Sequence, residues 1–269
     1  MKRLFLIAGM GFSLACTDAF AQGAAAAATE SEPQRQDLAA KVPAGTPVYI
    51  ENPYGNVYLR FGGYEHAVDI HATLQQPAKA PALTLQRGQE RGRYVIASKL
   101  PAGAALSEAQ RIDIVVYVAQ GHAVSVSTAG GDIESRGLKS DLDLKSVSGK
   151  IAVRGTEGTV QAETGEGEIQ LTLDGAARKG SKQRVATTTG NITLGVTDQL
   201  NAKVNLATSA VFATEYSIDV THDDGKEPNK WARTTIGAPD AEITLESRQG
   251  EIRLVRRAVY LEVGERPPQ

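Results

Sequence analysis

This sequence predicts an all-β protein. Its short strands should stack in a β-solenoid-like array of about 18 residues per coil, with an antiparallel β part at the N-terminal end. Three observations carry that expectation. Segments such as VYIEN, NVYLRF, AVDIHATL and RIDIVVYV alternate apolar and polar residues at period two, as half-buried strands do. A glycine-centred module recurs along the chain. No long segment shows the 3.6-residue periodicity of an amphipathic helix.

The first residues have the layout of a secretory leader. Met1-Lys2-Arg3 is basic, the run from Leu4 to Ala15 is apolar, and Ala19-Phe20-Ala21 is a small-x-small cleavage pattern. The apolar run is shorter than the about 20 residues a spanning helix requires. Residues 1–21 are therefore expected to be a signal peptide, cleaved before Gln22. Ser13-Leu14-Ala15-Cys16 offers the alternative of a lipobox with acylation at Cys16, although Ser13 stands where an aliphatic residue is expected. Cys16 is the only cysteine, so a chain cleaved after Ala21 has no disulfide. Loss of Lys2, Arg3 and Asp18 leaves 27 basic and 30 acidic residues, net −3. That balance argues against nucleic acid and anionic membranes as partners.

Residues 22–47 hold five consecutive alanines among small and polar residues, which reads as a flexible Ala-rich tether. The strand-bearing domain is expected over 48–257, with a fraying tail over 258–269 that ends in Pro-Pro-Gln.

The repeat is defined from its glycine. Apolar residues stand seven and five places before it, Ser or Thr three before, and branched aliphatics two and four after. Gly131, Gly149, Gly167, Gly190 and Gly250 each centre a copy, and Val48, Ile50, Asn52, Gly55, Val57 and Leu59 form an early one. Gln183 is a weak apolar position in the Gly190 copy. Val204, Leu206 and Thr208 open a further copy in which Val211 takes the glycine place. The spacing is 18 residues from Gly131 to Gly149, 18 again to Gly167, then 23 to Gly190, so the regular run covers 124–196. Positions −7, −5 and −3 share one strand face, as do +2 and +4. The odd step between the two sets requires a bend if both are to point inward. The glycine is expected in that bend for its access to positive φ, with Arg136-Gly137 and Arg154-Gly155 marking the second corner.

The phrases STAGGDI, KSVSGKI, ETGEGEI and TTTGNI, with VYIENPYGNVYLRFGG upstream and AEITLESRQGEIRLV downstream, resemble the bacterial putative-adhesin, β-strand-repeat family over about Val48 to Arg257. The resemblance implies the fold and a cell-envelope setting, and it carries over no catalytic residue.

The residues themselves carry no recognisable catalytic or metal-binding constellation. His66, His71, His122 and His222 have no metal-ligand spacing, and no nucleophile elbow, P-loop or dinucleotide fingerprint occurs. The run His222-Asp223-Asp224-Gly225 lacks the register of a calcium loop. No cofactor is expected. A polysaccharide-acting β-helix enzyme would need carboxylates clustered on one outward face, but outward positions change from coil to coil. The expected function is non-enzymatic: a structural or adhesin-like binding module, exported to the periplasm, whose partner is an envelope protein or a glycan. An accessory or sensor role in envelope-stress signalling is the alternative. Trp231, Tyr216 and Phe212, in or beside the irregular 211–237 segment, are the aromatic candidates for contact or, alternatively, for plugging the core.

Overall fold

The computed structural model describes residues 32–63 and 67–257. The expected leader, Cys16, the first part of the tether, His66 and the tail lie outside the described residues. Among these residues there are 21 strands and no helix. The N-terminal strands are β1 (Gln34–Lys41), β2 (Val48–Asn52), β3 (Val57–Phe61), β4 (Ala67–Gln75), β5 (Thr84–Glu90), β6 (Arg93–Lys99) and β7 (Arg111–Val118). The regular repeats supply β8 (Val124–Thr128), β9 (Ile133–Arg136), β10 (Leu142–Ser146), β11 (Ile151–Arg154), β12 (Val160–Thr164), β13 (Ile169–Leu173), β14 (Lys182–Thr187) and β15 (Ile192–Val196). The rest are β16 (Ala202–Thr208), β17 (Phe212–Thr214), β18 (Asp219–His222), β19 (Lys230–Ile236), β20 (Ala241–Ser247) and β21 (Ile252–Arg256).

Each repeat is one rung. Its first strand joins an 11-stranded sheet and its second a 10-stranded sheet. Successive rungs pair in parallel without slippage: Leu142 sits between Val124 and Val160, and Ile151 between Ile133 and Ile169. That register puts like residues above one another, so both inward faces become continuous aliphatic surfaces. Val126, Leu144, Ile151, Val153, Ile169, Leu171, Leu194 and Ile243 are at most 2% exposed and belong to one core cluster. The bend inferred from the odd step between −3 and +2 is therefore present.

The rungs are not stacked in chain order. From the N-terminal end they run β6–β7, β2–β3, β8–β9, β10–β11, β12–β13, β14–β15, β20–β21, β16–β17. At each end the outermost rung has exchanged places with the one inside it. The last repeat in the sequence thus fills an interior slot, with β20 between β14 and β16 and β21 between β15 and β17. The early repeat is likewise interior, between β6–β7 and β8–β9. Antiparallel strands close the ends: β4 on β7 and β1 on β4, β5 on β6, then β19 on β16 and β18 on β19. The expected antiparallel N-terminal part is thus made of capping strands on a parallel rung.

Part of the expected tether is a strand. β1 pairs along its whole length with β4, from Gln34 opposite Leu74 to Lys41 opposite Ala67. Leu38 and Ala40 pack against the core, and Val42 is fully buried. The two inward-facing apolar residues of QRQDLAAK, Leu38 and Ala40, are too few to signal a strand. What holds β1 is the row of hydrogen-bonding groups along the free edge of β4.

Candidate functional site

The six repeat glycines form a column, but not for the expected reason. None of Gly55, Gly131, Gly149, Gly167, Gly190 and Gly250 has a positive φ. Each is pressed against the backbone of the rung below. A Cβ at Gly131 would lie 1.9 Å from the Gly55 carbonyl oxygen, one at Gly149 2.0 Å from that of Gly131, and one at Gly250 1.9 Å from that of Gly190. Close approach of backbones excludes every side chain here. The positive φ belongs to the second corner, at Gly137 (+70°) and Gly155 (+65°).

The Ser or Thr at −3 has a matching role. In successive rungs the Gly167 amide donates to Thr164 Oγ1 at 3.2 Å, and that hydroxyl donates to the Gly149 carbonyl at 3.0 Å. Ser247 repeats the pattern, taking the Gly250 N–H and donating to Gly190, both at 2.8 Å. Thr187 does the same between Gly190 and Gly167. These hydroxyls are buried, so the corner is held by a relay of hydrogen bonds away from water. Thr164→Val keeps the shape and removes the relay. It should cost about 2 kcal/mol in urea unfolding, because buried polar groups are left unpaired.

Val211 does not occupy the glycine place. Thr208 aligns with Ser247 and Phe212 with Ile252, which leaves this corner one residue short. Val211 therefore sits at the +1 position, whose residues point outward in the other rungs, and is 63% exposed. Elsewhere the +1 column is polar and caps the next rung. Asn56 Oδ1 accepts from the Asp132 amide at 2.9 Å, Asp132 Oδ1 from the Lys150 amide at 2.8 Å, and Lys150 Nζ reaches Glu168 at 3.1 Å. The Gln170 amide, 3.0 Å from Glu168, holds that carboxyl below its usual range, and Lys150 adds to the effect. This column is a structural ladder.

The feature with the shape of a binding site is a groove of about 720 Å³ on the outer face of the larger sheet, at its C-terminal end. It follows from which residues are neighbours across the strands. Trp231 on β19 lies between Thr221 on β18 and Ala207 on β16, with Glu246 on β20 beyond Ala207. Small residues on both sides leave the indole standing clear, 39% exposed. The 226–228 segment forms another part of the lining. In the adjacent row Arg233 donates to Asn205 Oδ1 at 3.2 Å, and Asn205 Nδ2 donates to Glu242 at 2.8 Å, so the polar floor is already hydrogen-bonded. Arg184 pairs with Glu246 at 2.7 Å along the rim.

The three candidate aromatics are not brought together. Phe212 and Tyr216 pack against the end of the core, and the Tyr216 hydroxyl donates to Asp198 Oδ1 at 3.3 Å beneath the Arg256 guanidinium. Burial raises the Tyr216 pKa. Only Trp231 faces the groove. Sequence reasoning missed Asn205, Arg233 and Glu242, because their meeting depends on an antiparallel hairpin and a displaced rung that no local pattern announces. His71 lies 2.6 Å from Asp37, the buried His122 ring meets the Thr46 carbonyl at 2.9 Å, and His222 lies 3.4 Å from Asp224. Among the described residues no group of three or more His, Cys, Asp or Glu is placed to hold a metal ion, and no helix is long and apolar enough to cross a membrane.

Comparison with solved structures finds a putative cell adhesion protein from Clostridium sporogenes, at 10% identity and a TM-score of 0.48, covering 84% of this chain and 100% of that one. A putative adhesin from Bacteroides fragilis is 13% identical with a TM-score of 0.44, covering 84% and 99%. One from Parabacteroides distasonis is 12% identical with a TM-score of 0.33, covering 83% and 98%. A search of the curated proteins matches none. The Toastrack DUF4097 family model matches residues 36–255, from within β1 to within β21, and the chain belongs to that family.

Proposed function

We propose that this chain is an exported, non-enzymatic binding module of the bacterial envelope, residing in the periplasm, and that it engages its partner through the Trp231 groove. The observation that carries the reading is an indole left 39% exposed by small neighbours, over a floor whose polar groups are already paired. Such a surface needs little reordering on binding. Trp and Arg side by side are the usual anchors of protein interfaces, which favours an envelope protein over a glycan as the partner. The lining mixes Lys203, Lys226 and Arg233 with Asp219, Glu227, Glu242 and Glu246, a poor match for a polyanion.

Trp231→Ala tests this reading. Capture of crosslinked partners from an envelope fraction should fall at least tenfold, while Tm stays within about 2 °C because the indole is not in the core. A large fall in Tm with capture unchanged would assign Trp231 to packing and end the proposal. Mass spectrometry of the mature N-terminus, on fractionated cells, tests export: a start at Gln22 fits a periplasmic protein, and an acylated Cys16 a lipid-anchored one.

A further inference from the structure

A second cavity, which shares no lining residue with the Trp231 groove, has a different origin. The repeat lengthens from 18 to 23 residues at one place, between Gly167 and Gly190. The extra residues lie in the 174–181 loop between β13 and β14, which is tied down where Ala177 N–H donates to the Leu200 carbonyl at 2.8 Å and Gly180 N–H to the Asp240 carbonyl at 2.7 Å. Between this loop and the 155–158 corner of the preceding rung lies a polar cavity of about 530 Å³.

Gln183 lines this cavity. It occupies the −7 column, where other rungs carry Val124, Leu142, Val160, Val204 and Ile243. The residue is 4% exposed, and its Oε1 is buried with no hydrogen-bond partner. A buried amide without a partner is destabilising, and an aliphatic residue would satisfy the column better. The lining charges are already matched: Asp174 with Arg257, Arg178 with Asp141 at 3.1 Å, and Glu157 with Lys139 at 2.8 Å. The unmet demand is therefore for a neutral hydrogen-bond donor, beside the apolar surface of Leu173 and Ala177. Hydroxyl groups on a ring with apolar C–H faces meet both requirements, and the volume lies within the range of ordinary small-ligand sites.

We propose that this cavity binds a neutral, hydroxyl-rich ligand of one or two sugar rings, with the Gln183 amide as its recognition group. Calorimetric titration of the mature chain with glucose, N-acetylglucosamine, maltotriose and chitotriose tests it. Binding tighter than about 1 mM is expected for at least one of them. Preference for a trisaccharide over its monomer identifies the ligand as a glycan end, and equal affinity identifies a free sugar. Gln183→Leu should weaken binding at least tenfold and raise Tm by about 2–4 °C, and Gln183→Met should do the same if the leucine variant fails to fold. Trp231→Ala should leave the titration unchanged, which separates this proposal from the groove reading. Absence of binding by all four sugars would overturn it. So would a lowered Tm in both variants, or a folded variant that binds as the wild type does.

Discussion

Gly149→Ala should cost about 3 kcal/mol or more, seen as a fall of roughly 10 °C in Tm, although it adds one methyl group to a corner far from any candidate site. The new Cβ would stand 2.0 Å from the Gly131 carbonyl oxygen and 2.5 Å from its carbon. Both are backbone atoms, so no rotamer change relieves the clash. The rung cannot slide, because β10 and β11 are each paired on both sides. Lifting the corner would instead press the Gly149 carbonyl into Gly167 above, where a Cβ would already lie 1.9 Å from that oxygen. The relay through Ser146, whose Oγ takes the Gly149 N–H at 2.8 Å, would break with it. Gly88→Ala is the control, since its Cβ would meet nothing within 4 Å and its φ is ordinary. That variant should be neutral or slightly stabilising. Equal thermal stability of the two variants would remove the close-approach explanation for the whole column.

The same column shows how far the sequence could be read. Gly131, Gly149 and Gly167 recur with Ser or Thr three places before, so the module, its two strands and its inward face were legible from spacing alone. The reason for the glycine was not, because a single repeat does not contain the backbone it touches. That contact is between rungs, and it replaced positive φ as the cause. Val211 was misplaced for a related reason: its register is set by pairing of β17 with β21, some 40 residues on in the sequence. β1 escaped notice because Leu38 and Ala40 alone cannot mark a strand, and its partner edge is supplied by β4. Of the candidate site, Trp231 stood out as the only tryptophan. Its companions Asn205, Arg233 and Glu242 are assembled by the exchange of rungs at the C-terminal end.

That exchange makes the last repeat the most consequential segment to remove. In a solenoid laid down in chain order, the final coil is terminal, and its loss frays one end. Here truncation before Ala241 takes out an interior rung. Ile243, Leu245, Ile252 and Leu254 are each at most 1% exposed, and burying such a side chain contributes about 1.5–3 kcal/mol. Four of them amount to about 6–12 kcal/mol, comparable with the 5–15 kcal/mol that stabilises a whole domain. β16 loses its parallel partner, and β17, only three residues long, loses the single strand it pairs with. The truncated chain should therefore expose residues 202–236 to limited proteolysis, while the rungs up to β15, which stack directly on one another, remain protected. The vacated slot should also be refillable. A synthetic peptide of residues 238–257, which carries both strands and the Gly250 corner, should restore protease resistance to 202–236 in a concentration-dependent way, as any ligand of the folded form does. If the truncated chain kept its full Tm and its protection over 202–236 without the peptide, the interior placement of the last repeat would be wrong, and with it the assembly of the groove that β16 and β20 jointly floor.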